Sequence, residues 1–315
     1  MLPTAIASQL TSDADTAIQK VLALGGSRTK APYDEVSAVR TMTLDGFDEI
    51  AASWSTTLKS IGCRIDLRAV FCHTKPHVTF AEIPHPRYPG GRKPRVCELA
   101  DLLIVIDYLD LQKKINDRRA VLVQAKILKE GKIAPSGQEW VQHELLGWLP
   151  DFSFVDRRYD PRSRDLNGTP LVGMPHLTAE YGGIDLKSSP PIWQHWLTAT
   201  AAPWFQADLH LASYLARMAT GDASCGRQAV RGGLDDWSFT VDELLRVTAA
   251  IPITLASGDL RGNDNFVGFM ADTSNLANTG AGGSSDGFDS EPTEWPEGPL
   301  STVHITIRSI DDFER

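Results

Sequence analysis

Apolar side chains at Leu44, Phe47, Ala51, Trp54, Leu58 and Ile61 recur at spacings of three and four, the period of an amphipathic helix, and Gly62 follows as its stop. Two short β-branched runs farther on, Leu102–Ile106 and Ala120–Val123, predict strands buried on both faces. The link between them, residues 107–119, is polar and charged and long enough for a turn or a loose hairpin. Before them, Arg64–Cys72 alternates and then turns apolar, and His77–Phe80 follows an HTKP turn, so the two predict a hairpin. After them, Ser136–Leu149 places Gln138, Val141, Gln142, Leu145 and Leu149 on one helical face. Pro150 ends that helix, and Phe152–Val155 reads as the next strand. The order is helix, hairpin, strand, strand, helix, strand, which is an α/β chain.

The flanking regions are less regular. Residues 1–43 form an N-terminal segment with one short helix, Ser12–Leu24, stopped by Gly25 and Gly26. Residues 166–190 hold Gly, Pro and Ser and suggest no element. From Ile192 to Thr220 a Trp-, Ala- and Leu-rich stretch broken at Pro203 predicts two helices. Trp193, Trp196, Trp204 and Phe205 suit a core, and they also suit stacking on bases. Thr240 and Glu243 form a capping-box pattern ahead of a helix at Val241–Ala250. Residues 275–299 are rich in Gly, Ser and acid and read as a loop, and Ser301–Ile310 alternates as a final strand. Residues 166–315 are therefore expected to be a mostly helical C-terminal extension carrying that acidic loop and that strand.

Polar residues at the ends of the two buried runs hold the candidate chemistry. Asp101 opens the first run, and Gln124 and Lys126 close the second. In a strand, positions i and i+2 share a face, so Gln124 and Lys126 point one way and Ala125 the other. If the strands are neighbours, Asp101, Gln124 and Lys126 converge at one edge of the sheet. Taken alone, the same residues also suit an ordinary ion pair where a strand meets a loop.

This arrangement resembles the PD-(D/E)xK restriction-endonuclease-like nucleases, and more closely their QxK variant found in Mrr-type restriction enzymes and antiphage effector nucleases. Asp101 matches the Asp that starts one core strand, and Gln124-Ala125-Lys126 matches Q-x-K on the next. The resemblance covers roughly residues 44–156 of the 315. It implies a nuclease core at residues 44–165, with a central mixed sheet flanked by helices. It further implies that Asp101 and Gln124 hold Mg²⁺ (or Mn²⁺) with the carbonyl of Ala125, and that Lys126 polarises the attacking water or the scissile phosphate. Mg²⁺ prefers oxygen ligands, keeps several waters and often takes only one or two carboxylates, so an amide oxygen beside one Asp is a workable set. Glu98, three residues before Asp101 and in the loop entering the strand, is either a second carboxylate ligand or a solvated charge. The family often carries a further acid on the helix before the first core strand. Glu35, Asp48 and Glu49 are the candidates, and none is preferred. Gln138 and Gln142 stand at i and i+4, where helix glutamines of some branches line the active-site groove; flanking a packing stripe is the other reading. DNA is the implied substrate, antiphage defence the implied role, and a protein partner or homo-oligomer the implied restraint. A catalytically inactive subunit of the same fold, binding nucleic acid or acting as a scaffold in a larger assembly, is the alternative, and the unassigned helix acid and the acidic net charge favour it.

Charge adds one qualification. The net charge of −9 argues against loose attachment to nucleic acid. Yet between Arg87 and Lys132 there are 11 Lys/Arg against 6 Asp/Glu. Arg92, Lys93 and Arg95 lie in a Pro/Gly-rich loop that suits phosphate contacts and equally suits a solvated surface. His73 and His77 stand at i and i+4 in extended chain, which leaves a metal site open, but with no cluster around them the structural reading is favoured. The four cysteines show no CxxC spacing, there is no basic n-region with an apolar core at the N-terminus, and no run approaches a membrane span. These features lead to the expectation of a cytoplasmic chain with reduced thiols and no membrane partner.

Overall fold

The computed structural model describes residues 2–72, 76–81, 95–131, 133, 139–166, 178–197, 209–250, 271–272 and 299–310. Its helices are α1 (Ala7–Leu24), α2 (Glu35–Thr41), α3 (Phe47–Ser60), α4 (Glu139–Trp148), α5 (Leu211–Ala219) and α6 (Asp236–Ala250). Its strands are β1 (Cys63–Val70), β2 (His77–Phe80), β3 (Arg95–Glu98), β4 (Leu102–Leu109), β5 (Ile115–Ile127) and β6 (Phe152–Phe154). They continue with β7 (Ala179–Asp185), β8 (Ile192–Leu197), β9 (Leu209–His210), β10 (Arg227–Gln228), β11 (Ala271–Asp272) and β12 (Ser301–Ser309). The chain is α/β, with a central mixed sheet flanked by helices.

That sheet runs β11-β1-β12-β4-β5-β7-β8-β9, with β10 also paired to β5. The β12–β4 and β5–β7 pairs are parallel and the others antiparallel. Strand alternation divides two cores. Ile65 and Leu67 of β1, Leu102 and Ile104 of β4, Val121 and Val123 of β5 and Ile305 of β12 face α1, α3 and α5. Leu103 and Val105 of β4 and Ala120 and Leu122 of β5 face the other way, toward α4, α6 and a small sheet of order β3-β2-β6. Both buried runs therefore pack on both faces, which is why they lack polar alternation.

Several expectations are corrected. β2 does not form a hairpin with β1; it pairs with β3 and β6 in the small sheet. The strand expected at Phe152–Val155 is present as Phe152–Phe154 and belongs to that small sheet, paired with β2, with Phe154 stacked on Tyr159. The parallel neighbour of β5 is β7, in a region where no element was expected. Residues 192–197 are a strand, not a helix, and among its described residues the C-terminal part supplies β7, β8, β9 and β12 to the central sheet beside helices α5 and α6. The final strand lies between β1 and β4, where Val303, Ile305 and Ile307 are fully buried. α6 begins at Asp236, four residues before the capping pattern at Thr240, because Asp235 accepts the Ser238 N–H and caps it. Glu243 instead meets the buried Arg164. In the N-terminal segment, α1 packs on α3 and α5, and α2 runs through a π-helical turn at Met42–Gly46 into α3. Trp204, Phe205, His73 and the acidic stretch 275–298 lie outside the described residues.

Candidate active site

The β4–β5 register places the chemistry. Leu102 pairs with Val123, so Asp101 stands just before β4 beside the Gln124–Lys126 end of β5. Gln124 Nε2 donates to Asp101 Oδ2, and Ala125 N donates to the same oxygen at 2.7 Å. Asp101, Gln124 and Lys126 thus share one face at one edge of the sheet. The Ala125 side chain faces the opposite core.

The backbone of Ala125 is turned toward Asp101. Leu122 N donates to Thr178 O and Leu128 N to Ile184 O, so even-numbered residues of β5 bond to β7. Odd-numbered residues direct their N–H and C=O toward β4, and β4 starts only at Leu102, opposite Val123. The Ala125 carbonyl is therefore directed past the start of β4, on the side that Asp101 occupies.

Of the three helix acids left open by the sequence, Glu35 is the one that meets Lys126. Asp34 Oδ1 accepts the Ser37 N–H at 2.8 Å while Ser37 Oγ accepts the Asp34 N–H at 3.0 Å, a reciprocal cap that starts α2 at Glu35. Glu35 Oε1 lies 2.8 Å from Lys126 Nζ. Glu139, at the start of α4, approaches the same ammonium at 3.8 Å. Of the other two helix candidates, Asp48 pairs with Arg28 and Glu49 with Lys20. Glu98 ends β3, paired with His77, instead of lying in a loop, and its charge acts on both Glu35 and Asp101.

Three carboxyl groups, Asp101, Glu35 and Glu139, thus act on one ammonium. Burial pushes the Asp101 carboxyl up to about 8, with the Glu35 charge adding to the rise and Lys126 opposing it. Burial likewise raises Glu35 against the pull of Lys126. Burial disfavours the Lys126 ammonium, but Asp101 and Glu35 outweigh it, and its pKa is raised. Beside Gln124 on the next strand, burial raises the Tyr181 phenol.

Gln124 Oε1 is buried and, among the described residues, has no hydrogen-bond partner. A buried acceptor left empty is costly and uncommon. Together with Asp101 and the Ala125 carbonyl it forms an oxygen donor set that fits a hard divalent cation better than a soft one. Among the described residues no group of three or more His, Cys, Asp or Glu side chains stands in metal-binding geometry. Any metal here would rely on one carboxylate, one amide, one carbonyl and water.

Of the expected nucleic-acid residues, Arg95 and Gln142 fall within the described residues. Arg95 pairs with Glu144 of α4 at 3.8 Å. Gln142 is half-buried on α4, while Arg92, Lys93 and Gln138 lie outside the described residues. Glu139 and Tyr181 were missed by sequence reasoning. Glu139 carried only the weak signal of an acid in a first helical turn, and Tyr181 carried none. No helix among the described residues is long and apolar enough to cross a membrane. Comparison with protein-family models, with curated proteins and with solved structures returned no match.

Proposed function

We propose that this chain is a divalent-metal-dependent nuclease that hydrolyses phosphodiester bonds of DNA. The observation that carries the reading is the convergence of Asp101, Gln124 and Lys126 at one strand edge with the orphaned Gln124 Oε1 among them. The order α3, β1, β4, β5, α4, β7, with β7 parallel to β5, supports it as a nuclease-like core, although β12 stands between β1 and β4.

Asp101, Gln124 Oε1 and the Ala125 carbonyl would hold the cation. When bound, Mg²⁺ or Mn²⁺ lowers the pKa of a coordinated water and neutralises charge on the phosphate. Lys126 brings a fixed ammonium to the phosphate oxygens, where charge accumulates as the water oxygen bonds to phosphorus and one bridging P–O bond breaks. The departing oxygen leaves with its electron pair and takes a proton from solvent. Glu35, hydrogen-bonded to Lys126 and with its pKa raised, orients the ammonium and can accept the proton the water loses. By resemblance the biological setting is antiphage defence.

The test is cleavage of supercoiled, linear and single-stranded DNA with Mg²⁺ or Mn²⁺ by the wild-type protein and by Asp101→Ala and Lys126→Ala. Wild-type cleavage that falls at least about 100-fold in both folded variants is expected. Inactivity of the wild type with either ion, or equal rates in the variants, overturns the reading. One observation favours a second reading, an inactive nuclease-fold subunit that binds or scaffolds: Lys126 is already held by two carboxylates. Undetectable metal binding by calorimetry supports that alternative.

A further inference from the structure

At the other end of the β4–β5 hairpin lies a cavity of about 710 Å³. It is six residues of β4 away from Asp101, roughly 20 Å at strand rise. Its floor is the polar side of β1 and β12. Asp66 and Arg68 alternate with buried Ile65 and Leu67, and His304, Thr306 and Arg308 alternate with buried Ile305 and Ile307. A half-polar sheet face is ordinarily open to solvent. Here α6 stands over it, with Asp242, Leu245, Arg246 and Ala249 in the wall, so the polar face becomes the base of a pit.

The carboxylates in this lining are engaged by the protein itself. Arg118 binds Asp107 through two hydrogen bonds, at 2.6 and 2.8 Å, and reaches Asp242 at 2.6 Å. His304 Nε2 meets Asp107 at 3.0 Å, and Arg308 meets Asp66 at 3.2 Å. Six cations line the cavity, Arg68, Lys113, Arg118, Arg231, Arg246 and Arg308, against only three carboxylates, Asp66, Asp107 and Asp242. Lys113 and Arg231 are exposed at the rim and have no ion-pair partner among the described residues. In a chain of net charge −9 this is a localised surplus of positive charge. Leu109, Ile115, Leu245 and Ala249 add an apolar side.

We propose that this cavity binds a small nucleoside phosphate, with Lys113 and Arg231 meeting the phosphates and the apolar side taking the base. The volume falls in the usual range for small-molecule sites, and a few directed polar groups beside an apolar wall are their usual make-up. Cations without carboxylate partners at the mouth leave charge for an incoming anion, while the Arg118 network holds the floor rigid. The site does not depend on the nuclease reading.

The test is calorimetric titration of the full chain with AMP, ADP, ATP, GTP, UTP and inorganic triphosphate. At least one nucleotide is expected to bind with Kd below about 1 mM. Lys113→Ala/Arg231→Ala, which alters only exposed side chains, should weaken it at least tenfold with an unchanged melting temperature. Ala249→Trp, which fills the apolar side, should weaken the nucleotide more than inorganic triphosphate. The proposal is overturned if no nucleotide binds, if the double variant binds as well as wild type, or if inorganic triphosphate binds as tightly as the best nucleotide.

Discussion

Lys126 Nζ lies 2.8 Å from Glu35 Oε1, joining the end of β5 to the first turn of α2 across 91 positions of sequence. The pair brings a helix acid to the edge where Asp101 and Gln124 already meet. It also sets the ammonium among carboxylates that raise its pKa, so Lys126 stays charged throughout the neutral range.

Glu35→Gln keeps the hydrogen-bonding shape and removes the charge. Under the proposed function its metal-dependent DNA cleavage should fall about 10- to 100-fold. Stability should change by no more than about 1 kcal/mol, because the pair is part-exposed and solvent screens it. Cleavage rates set beside urea midpoints separate the two effects. Unchanged rates would leave Glu35 a structural partner only.

Asp107 provides the pH dependence. Burial alone would raise its pKa, but hydrogen bonds from Arg118 and His304 outweigh burial and hold the carboxyl at about 2, against 3.8 without these surroundings. The sign follows from linkage: the unfolded chain binds the proton more readily, so the stabilisation is present above pH 4 and is lost as pH falls toward 2. The difference corresponds to roughly 2 kcal/mol. Asp107→Asn should lower stability at pH 7 by at least that amount, since Arg118 loses a buried partner, and should flatten the acid limb of the stability curve. Melting temperatures of both proteins from pH 2 to 7 give the comparison, and parallel curves would refute the assignment.

Gly182 sits opposite Ala125 in the β5–β7 pairing, and a Cβ there would come 2.5 Å from Trp193 Nε1. Trp193 is buried and cannot swing away freely. Gly182→Ala should therefore cost about 1–3 kcal/mol by overpacking. A denaturant midpoint equal to wild type would show that Trp193 repacks without cost.

Gly25 and Gly26 marked the end of α1, which starts at Ala7, five residues before the expected Ser12. The hydrophobic pattern by itself determined the body of α3, both buried runs of the β4–β5 pair, and the alternating strands β1 and β12. In each, the periodicity records which faces are buried, and burial is written residue by residue. It also placed Asp101, Gln124 and Lys126 on one face, because strand alternation depends only on parity once the strands are neighbours. It could not show that β12 enters between β1 and β4, that β7 lies beside β5, or that β2 leaves β1 for the small sheet. Partner choice among strands depends on contacts between residues far apart in the chain, such as Val303 with Ile104 in register. Glu35 is the same case at the scale of one side chain: Asp34 and Ser37 mark a helix start locally, but only the packing of that helix over β5 brings its acid to Lys126. The basic cavity is also a tertiary product, since the polar faces of two ordinary alternating strands become a pit only when α6 is laid across them.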